Sequence, residues 1–223
     1  MRKFGFFIVV CILIFLLVPF GYGLLRSSLQ SASLSWVFME WFYYVLLILM
    51  GAALVALSPL KWSKFSFWKR ALVGSVLVVF PFLVGFIQHP IYEDMLWDLS
   101  QDVSMLEATV DYQESDLVVI AIADCPYCKR AITEMKALHD RNPQLRMRMV
   151  VCTADSTWLI PYAEEADGAF EVVMAENMDV LATQAGGHFP AYVLVRDGKP
   201  ERRWTNNEWG PVAKDIVEET TRY

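Results

Sequence analysis

Apolar residues crowd the first 88 positions of the chain and then break into short, spaced runs. Three of the early stretches approach the roughly 20 apolar residues a bilayer crossing needs: Phe4 to about Leu25, Trp36 to about Leu57 and Ala71 to about Ile87. The pattern predicts three transmembrane helices in residues 1–88. The first run follows Arg2 and Lys3, so it reads as an uncleaved anchor, with a secretory signal as the alternative. The second opens among Trp36, Trp41, Phe42, Tyr43 and Tyr44, side chains that favour the membrane interface. Glu40 lies with them and reads as an interfacial carboxylate, a functional acid being the alternative. Pro81 falls inside the third.

Residues 92–113 place Met95, Leu96, Leu99, Val103, Leu106 and Val110 three to four apart. That spacing predicts a connecting amphipathic helix over 89–114, with a mobile linker as the alternative. From 115 to 223 the pattern becomes that of a water-soluble α/β domain. Leu117–Ala123 is a β-branched apolar run, hence a buried strand. A helical repeat follows in Ile132, Met135 and Leu138, ended by the turn Asn142-Pro143. Leu145–Cys152 reads as a second strand, residues 155–167 as a short helix or an irregular insert with Trp158 and Pro161, and 169–174 as a third strand. Met178–Gln184 is a helix stopped by Gly186-Gly187. Residues 191–195 and 200–204 form a hairpin about Asp197-Gly198, and 208–220 is a last helix.

Charge follows the same division. Residues 1–88 hold seven Lys/Arg and one acid, whereas residues 89–223 hold twelve Lys/Arg and twenty-four acids. A soluble half this acidic excludes nucleic acid as a partner. Four of the positive charges lie in Lys61–Arg70, between the second and third runs, which marks that loop as cytoplasmic. The N-terminus is then cytoplasmic too, and three crossings export residues 89–223. In a bacterium the chain would be a multi-pass protein of the inner membrane with its soluble domain in the periplasm, where disulfides persist.

The chemistry concentrates in Asp124-Cys125-Pro126-Tyr127-Cys128. Two cysteines stand where a strand ends and a helix begins. A thiol there meets unpaired backbone N–H groups and the positive end of the helix dipole, both of which favour the thiolate. Pro126 suits the first helical turn, where no N–H is required. Cys125 is the candidate nucleophile and Cys128, one turn on, the resolving thiol. The same tetrapeptide is compatible with half a zinc site or a structural disulfide. Cys152 reads as a buried structural cysteine, with a third redox thiol as the alternative, and His188 as a loop histidine or an acid–base group.

The strand, the Cys-Pro-Tyr-Cys helix start, and Phe189-Pro190-Ala191 entering the strand before the Asp-Gly hairpin together resemble the thioredoxin-fold family over residues 110–223. The resemblance implies a central mixed sheet flanked by helices. It also implies a cis Pro190 facing the cysteine pair and a Phe189 backbone that hydrogen-bonds a bound substrate chain. The expected activity is thiol–disulfide exchange on protein disulfides, with another thiol protein as electron partner and neither cofactor nor metal. Cytochrome maturation and envelope protein repair are roles the resemblance allows. A non-enzymatic membrane scaffold with a client-binding thioredoxin-like module is the alternative. The Pro-Tyr dipeptide is that of glutaredoxins, yet no Gly-Gly-x-Asp element follows the Pro190 strand. Thioredoxins carry a buried acid on the strand before the motif, where this chain has Val119. Asp124 is the nearest substitute.

Overall fold

The structure, a computed structural model, describes Tyr22, residues 34–57 and residues 66–220. It divides into two units, Met1–Tyr92 and Glu93–Tyr223. In the first, α1 (Trp36–Leu57) and α2 (Phe67–Gln88) are each 22 residues long. By length and composition both are able to cross a membrane. The first apolar run lies outside the described residues except for Tyr22, as do residues 61–65 of the basic Lys61–Arg70 stretch.

The two helices pack through glycines. A Cβ on Gly51 would stand 2.5 Å from the Val78 carbonyl oxygen and 2.6 Å from Val78 Cα. Such backbone approach is how apolar helices gain packing where no hydrophobic force distinguishes protein from lipid. Pro81 sits inside α2 without ending it. Near the start of α1, the Tyr22 hydroxyl lies 2.7 and 2.8 Å from the two Glu40 carboxylate oxygens. The Tyr22 ring stacks on His89 at 4.1 Å. Glu40 is thus hydrogen-bonded within the protein rather than simply directed at the interface.

The second unit is a six-stranded sheet in the order β1-β6-β5-β2-β3-β4. The strands are β1 (Gln101–Asp102), β2 (Leu117–Ile122), β3 (Met147–Cys152), β4 (Glu171–Met174), β5 (Ala191–Arg196) and β6 (Lys199–Thr205). Its helices are α3 (Pro126–Arg141), α4 (Leu159–Ala166), α5 (Met178–Gln184) and α6 (Pro211–Thr220). β2 runs parallel to β3 and antiparallel to β5. With neighbours on both edges and helices on both faces, Leu117 to Ala121 are fully buried, which is why this strand is a continuous apolar run and not an alternating one.

Strand alternation sends Val118, Ile120, Val150 and Val193 to one face, where they pack with Tyr112, Leu181 and Ala185. The opposite face carries Val119, Met149 and Tyr192, all buried. Tyr192 stacks on Trp209 at 4.0 Å just before α6. Two ion pairs fasten α3 to α6. Arg141 Nε lies 2.9 Å from Glu218 Oε1 with both side chains 5% exposed, and the Lys214 ammonium donates to Glu134.

Residues 89–114 do not form the connecting helix that their spacing predicts. They hold short 3-10 turns at Glu93–Met95 and Val110–Tyr112 and the two-residue β1. Local hydrogen bonding wins over the helical repeat. The Asp98 and Asp102 carboxylates capture the backbone N–H groups of Ser100 and Ser104, both at 2.9 Å. Asp98 also takes the Arg202 guanidinium at 2.6 Å and the Trp204 indole N–H at 3.1 Å, while Gln101 and Asp102 pair with Arg203 and Arg202 across β6. The segment is an edge strand and strap. The Arg202–Arg203 pair on β6 is what holds it.

Replacing Gly51 by Val should lower the thermal unfolding midpoint of the α1–α2 unit in detergent, by the equivalent of about 1–3 kcal/mol for overpacking. Gly74→Ala, where an added Cβ meets nothing within 4 Å, should leave it unchanged.

Candidate functional site

The site is assembled at the end of β2. Ile122 closes the strand, Ala123 and Asp124 turn the chain, and Asp124 takes a left-handed conformation at φ 52° with its side chain exposed. Aspartate tolerates that region better than most residues. Cys125 is the N-cap of α3, at φ −99° and ψ 113°, and Pro126 follows in the first turn. The Cys125 Sγ accepts the Cys128 backbone N–H at 3.1 Å. A sulfur thus occupies the place of an N-cap oxygen and receives one of the otherwise orphaned amides.

Cys125 and Cys128 are joined as a disulfide with their Cα atoms 5.1 Å apart. Their exposure is unequal. Cys125 is 7% exposed and Cys128 not at all. Tyr127, more than half exposed, stands between them in the sequence, with the Arg130 guanidinium 5.8 Å from its ring centre.

The Phe189–Pro190 bond is cis. The β2–β5 ladder ends at Ile120↔Ala191. The cis bond therefore comes directly after the last pair, at the end of the sheet from which β2 runs into the dithiol. Phe189 packs against the core cluster on the α5 face. His188 engages its own loop, with Nδ1 2.9 Å from the Gly186 carbonyl oxygen.

Tyr162 is the residue the sequence reading passed over. Residues 155–167 form a 3-10 turn and then α4, which lays a fully buried tyrosine against the active-site turn. Its hydroxyl donates to the Ile122 carbonyl at 2.9 Å. The one signal available was a tyrosine inside the apolar start of a short helix, since a buried phenol needs a polar partner.

Val119 is fully buried, so β2 carries no acid behind the dithiol. A buried acid stands instead on the other face. Asp111 is 4% exposed; its Oδ1 accepts the Glu176 amide at 3.3 Å and its Oδ2 is buried without a hydrogen bond. Burial pushes its carboxyl up, opposed by that amide and by Arg148 and reinforced by the Glu176 charge. The free thiol of Cys152 is pushed up to about 11, first by burial and then by Asp111. A thiol held there is protonated at neutral pH and a poor nucleophile. Among the described residues no three His, Cys, Asp or Glu side chains are grouped to hold a metal ion.

Parallel β2–β3, antiparallel β5–β6, helices on both faces, a helix-start dithiol and a cis proline before β5 define a thioredoxin-like domain. Among solved structures the chain is similar to a secreted Mycobacterium tuberculosis disulfide oxidoreductase homologous to E. coli DsbE, at 16% identity and a TM-score of 0.36. The match covers 48% of this chain and 80% of that one. No family model and no curated protein matches the sequence.

Replacing Asp111 by Asn should stabilise the Glu93–Tyr223 unit at pH 7 by about 1 kcal/mol, since an under-bonded buried carboxylate costs on that order. A carboxyl raised above its unfolded value of roughly 3.9 favours folding only while protonated. The gain should therefore be absent below about pH 4 and grow as pH rises through the raised folded value. Denaturant unfolding at pH 4 and pH 7 checks both the size and the sign.

Proposed function

We propose that the chain is a membrane-anchored thiol–disulfide oxidoreductase acting on protein disulfides in the exported compartment. The observation that carries this reading is the Cys125 sulfur seated at the start of α3 and receiving the Cys128 amide, with Cys128 sealed behind it. An N-capping sulfur is stabilised as a thiolate by that amide and by the helix dipole. The inequality of exposure suits two successive attacks.

In the reductive direction the Cys125 thiolate attacks one sulfur of a client disulfide. A Cys125–client bond forms, the client S–S bond breaks, and the departing client thiolate takes up a proton. Cys128 then loses its proton and attacks the Cys125 sulfur. The mixed disulfide breaks, the second client sulfur leaves and is protonated, and the internal disulfide closes. Two electrons and two protons pass to the client in total. Run backwards, the same steps oxidise a client dithiol. Electrons enter or leave through another thiol protein.

Phe189 and Pro190 are assigned to the client backbone, Pro126 and Asp124 to the geometry of the turn, and Tyr127 to the surface around the sulfur. Two apolar helices of spanning length, with acid concentrated in the other unit, support anchoring with the domain on the exported side.

Cys125→Ser should abolish insulin-disulfide reduction by the full-length protein, a loss of more than about 100-fold for removal of a nucleophile. Cys128→Ser should accumulate a mixed disulfide between Cys125 and its client, seen on non-reducing gels. Unchanged cellular function with Cys125→Ser would support the non-enzymatic scaffold instead. One zinc per reduced chain would support a metal site.

A further inference from the structure

We infer that Arg203 is a positioning residue for client binding. From β6 it clamps the turn that leads into the cis Phe189–Pro190 bond, and so fixes the stretch of backbone offered to a client. The inference rests on the proposed thiol–disulfide chemistry and on the assignment of Phe189 and Pro190 to the client backbone. It adds a residue from a different strand.

The sheet sends the side chain to that place. Arg203 pairs with Val193 across the β5–β6 ladder, and directly opposed residues share a face. Val193 belongs to the core cluster on the α5 face. Arg203 is therefore directed at the end of α5, whereas its neighbours Arg202 and Trp204 lie on the other face and meet Asp98.

The turn needs a partner there because its own backbone leaves a gap. Between Gln184, the last residue of α5, and Ala191, the first of β5, the chain has to stop a helix and reverse. The amides of Ala185, Gly187, Gly186 and His188 bond the carbonyls of Leu181, Ala182, Thr183 and Ala185 respectively. The Gln184 carbonyl receives none of these amides. It accepts from Arg203 Nη1 at 2.6 Å instead. A guanidinium at that position also meets the negative end of the helix dipole. A Cβ on Gly186 would stand 2.6 Å from the same nitrogen, and Gly186 has φ +65°. Glycine is thus required twice, for the left-handed backbone and for the approach of the guanidinium.

The clamp has further points of attachment. Arg203 Nη2 donates to the Gln101 side chain on β1. The Gln184 side chain accepts the Tyr112 hydroxyl and donates through Nε2 to the Glu107 carbonyl at 2.8 Å. The end of α5 is thereby pinned to β6 and to the strap. Only Gly187 and His188 then separate the clamped residues from the cis bond. His188 is itself tied back, its amide to Ala185 and its Nδ1 lying 2.9 Å from the Gly186 carbonyl oxygen. On the other side of the cis bond, β5 is paired with both β2 and β6. Removing the guanidinium frees one side of the bond from the sheet. The dithiol stands on β2 and α3 and is not part of this clamp, so the loss falls on client affinity and not on the sulfur chemistry.

The test uses full-length protein in detergent, pre-reduced and freed of reductant. It is mixed with excess insulin or excess 2-hydroxyethyl disulfide, and closure of the Cys125–Cys128 disulfide is followed by thiol trapping. Arg203→Met keeps the aliphatic stem. It should raise the half-saturating insulin concentration at least about threefold, the size expected when a hydrogen bond of ordinary net strength is lost. The limiting rate with insulin and the rate with 2-hydroxyethyl disulfide should each stay within about twofold, as for a loss of binding alone. Arg203→Lys keeps the charge without the fork and should give a smaller rise; it carries the test if the methionine variant does not fold. Gly186→Ala should act in the same direction, and combining it with Arg203→Met should add little, because both break one contact.

Folded variants with unchanged insulin half-saturation would overturn the inference. So would an equal loss with both substrates, which would mark Arg203 as a support of the fold or of the dithiol. Either result leaves the oxidoreductase reading intact. An unmodified protein that closes its disulfide with neither substrate would overturn both.

Discussion

One hydrogen bond organises the chemistry of this chain, from the Cys128 amide to the Cys125 sulfur. It exists because a buried strand delivers Cys125 to the first position of a helix. β2 is fixed on both sides, by parallel pairing to β3 and antiparallel pairing to β5. Its end is therefore a fixed point. The left-handed turn at Asp124 converts the strand direction into the helix direction within three residues. Everything downstream of that turn inherits its position from the sheet. A sulfur on a mobile loop would meet its capping amide only part of the time, whereas one delivered by a central strand meets it constantly.

The rest of the second unit keeps α3 from moving relative to that strand. Ile132, Met135 and Leu138 bury its apolar side. Arg141–Glu218 and Lys214–Glu134 lock it to α6, and Lys136 links it to α4. The first two contacts involve charges largely removed from water. Removing one partner of such a pair leaves an uncompensated charge and costs far more than the intact pair contributes, so these contacts specify which helix faces meet more than they add to net stability. The strap at 98–102 is held in a different way, by more exposed pairs. Its carboxylate and amide groups are chosen to satisfy Arg202, Arg203 and Trp204 on the sheet edge.

What could be read in the sequence was whatever one segment decides by itself. The run Leu117–Ala123, the helical repeat after Cys128, Met178–Gln184 and the Asp-Gly hairpin carry their own periodicity and turn chemistry, and they stand within a few residues of expectation. The spans at 36–57 and 71–87 are equally local, being matters of length and composition. Residues 92–113 failed the same procedure because their outcome is decided elsewhere. The apolar spacing is genuine, but Asp98 and Asp102 have partners on β6 and on their own turns that a helix would deny them. Tyr162 and Asp111 were out of reach for the same reason. Their significance lies in which backbone groups face them across the fold, and no single-sequence pattern encodes that. The dithiol lay between these cases. Its position on strand and helix was legible, while the near-closure of Cys125 to solvent was not.

That near-closure bears on the order of events under the proposed chemistry. With Cys128 fully buried, no client sulfur can reach it directly, so the outer thiol has to act first. With Cys125 itself only 7% exposed, a client disulfide buried in a folded core would not reach it. The cis bond at Phe189–Pro190 lies just past the final β2–β5 pair, at the same end of the sheet as the dithiol. Cys152 takes no part in this sequence. Its burial and the neighbouring Asp111 keep it protonated, so under the proposed chemistry it does not compete with the Cys125–Cys128 pair.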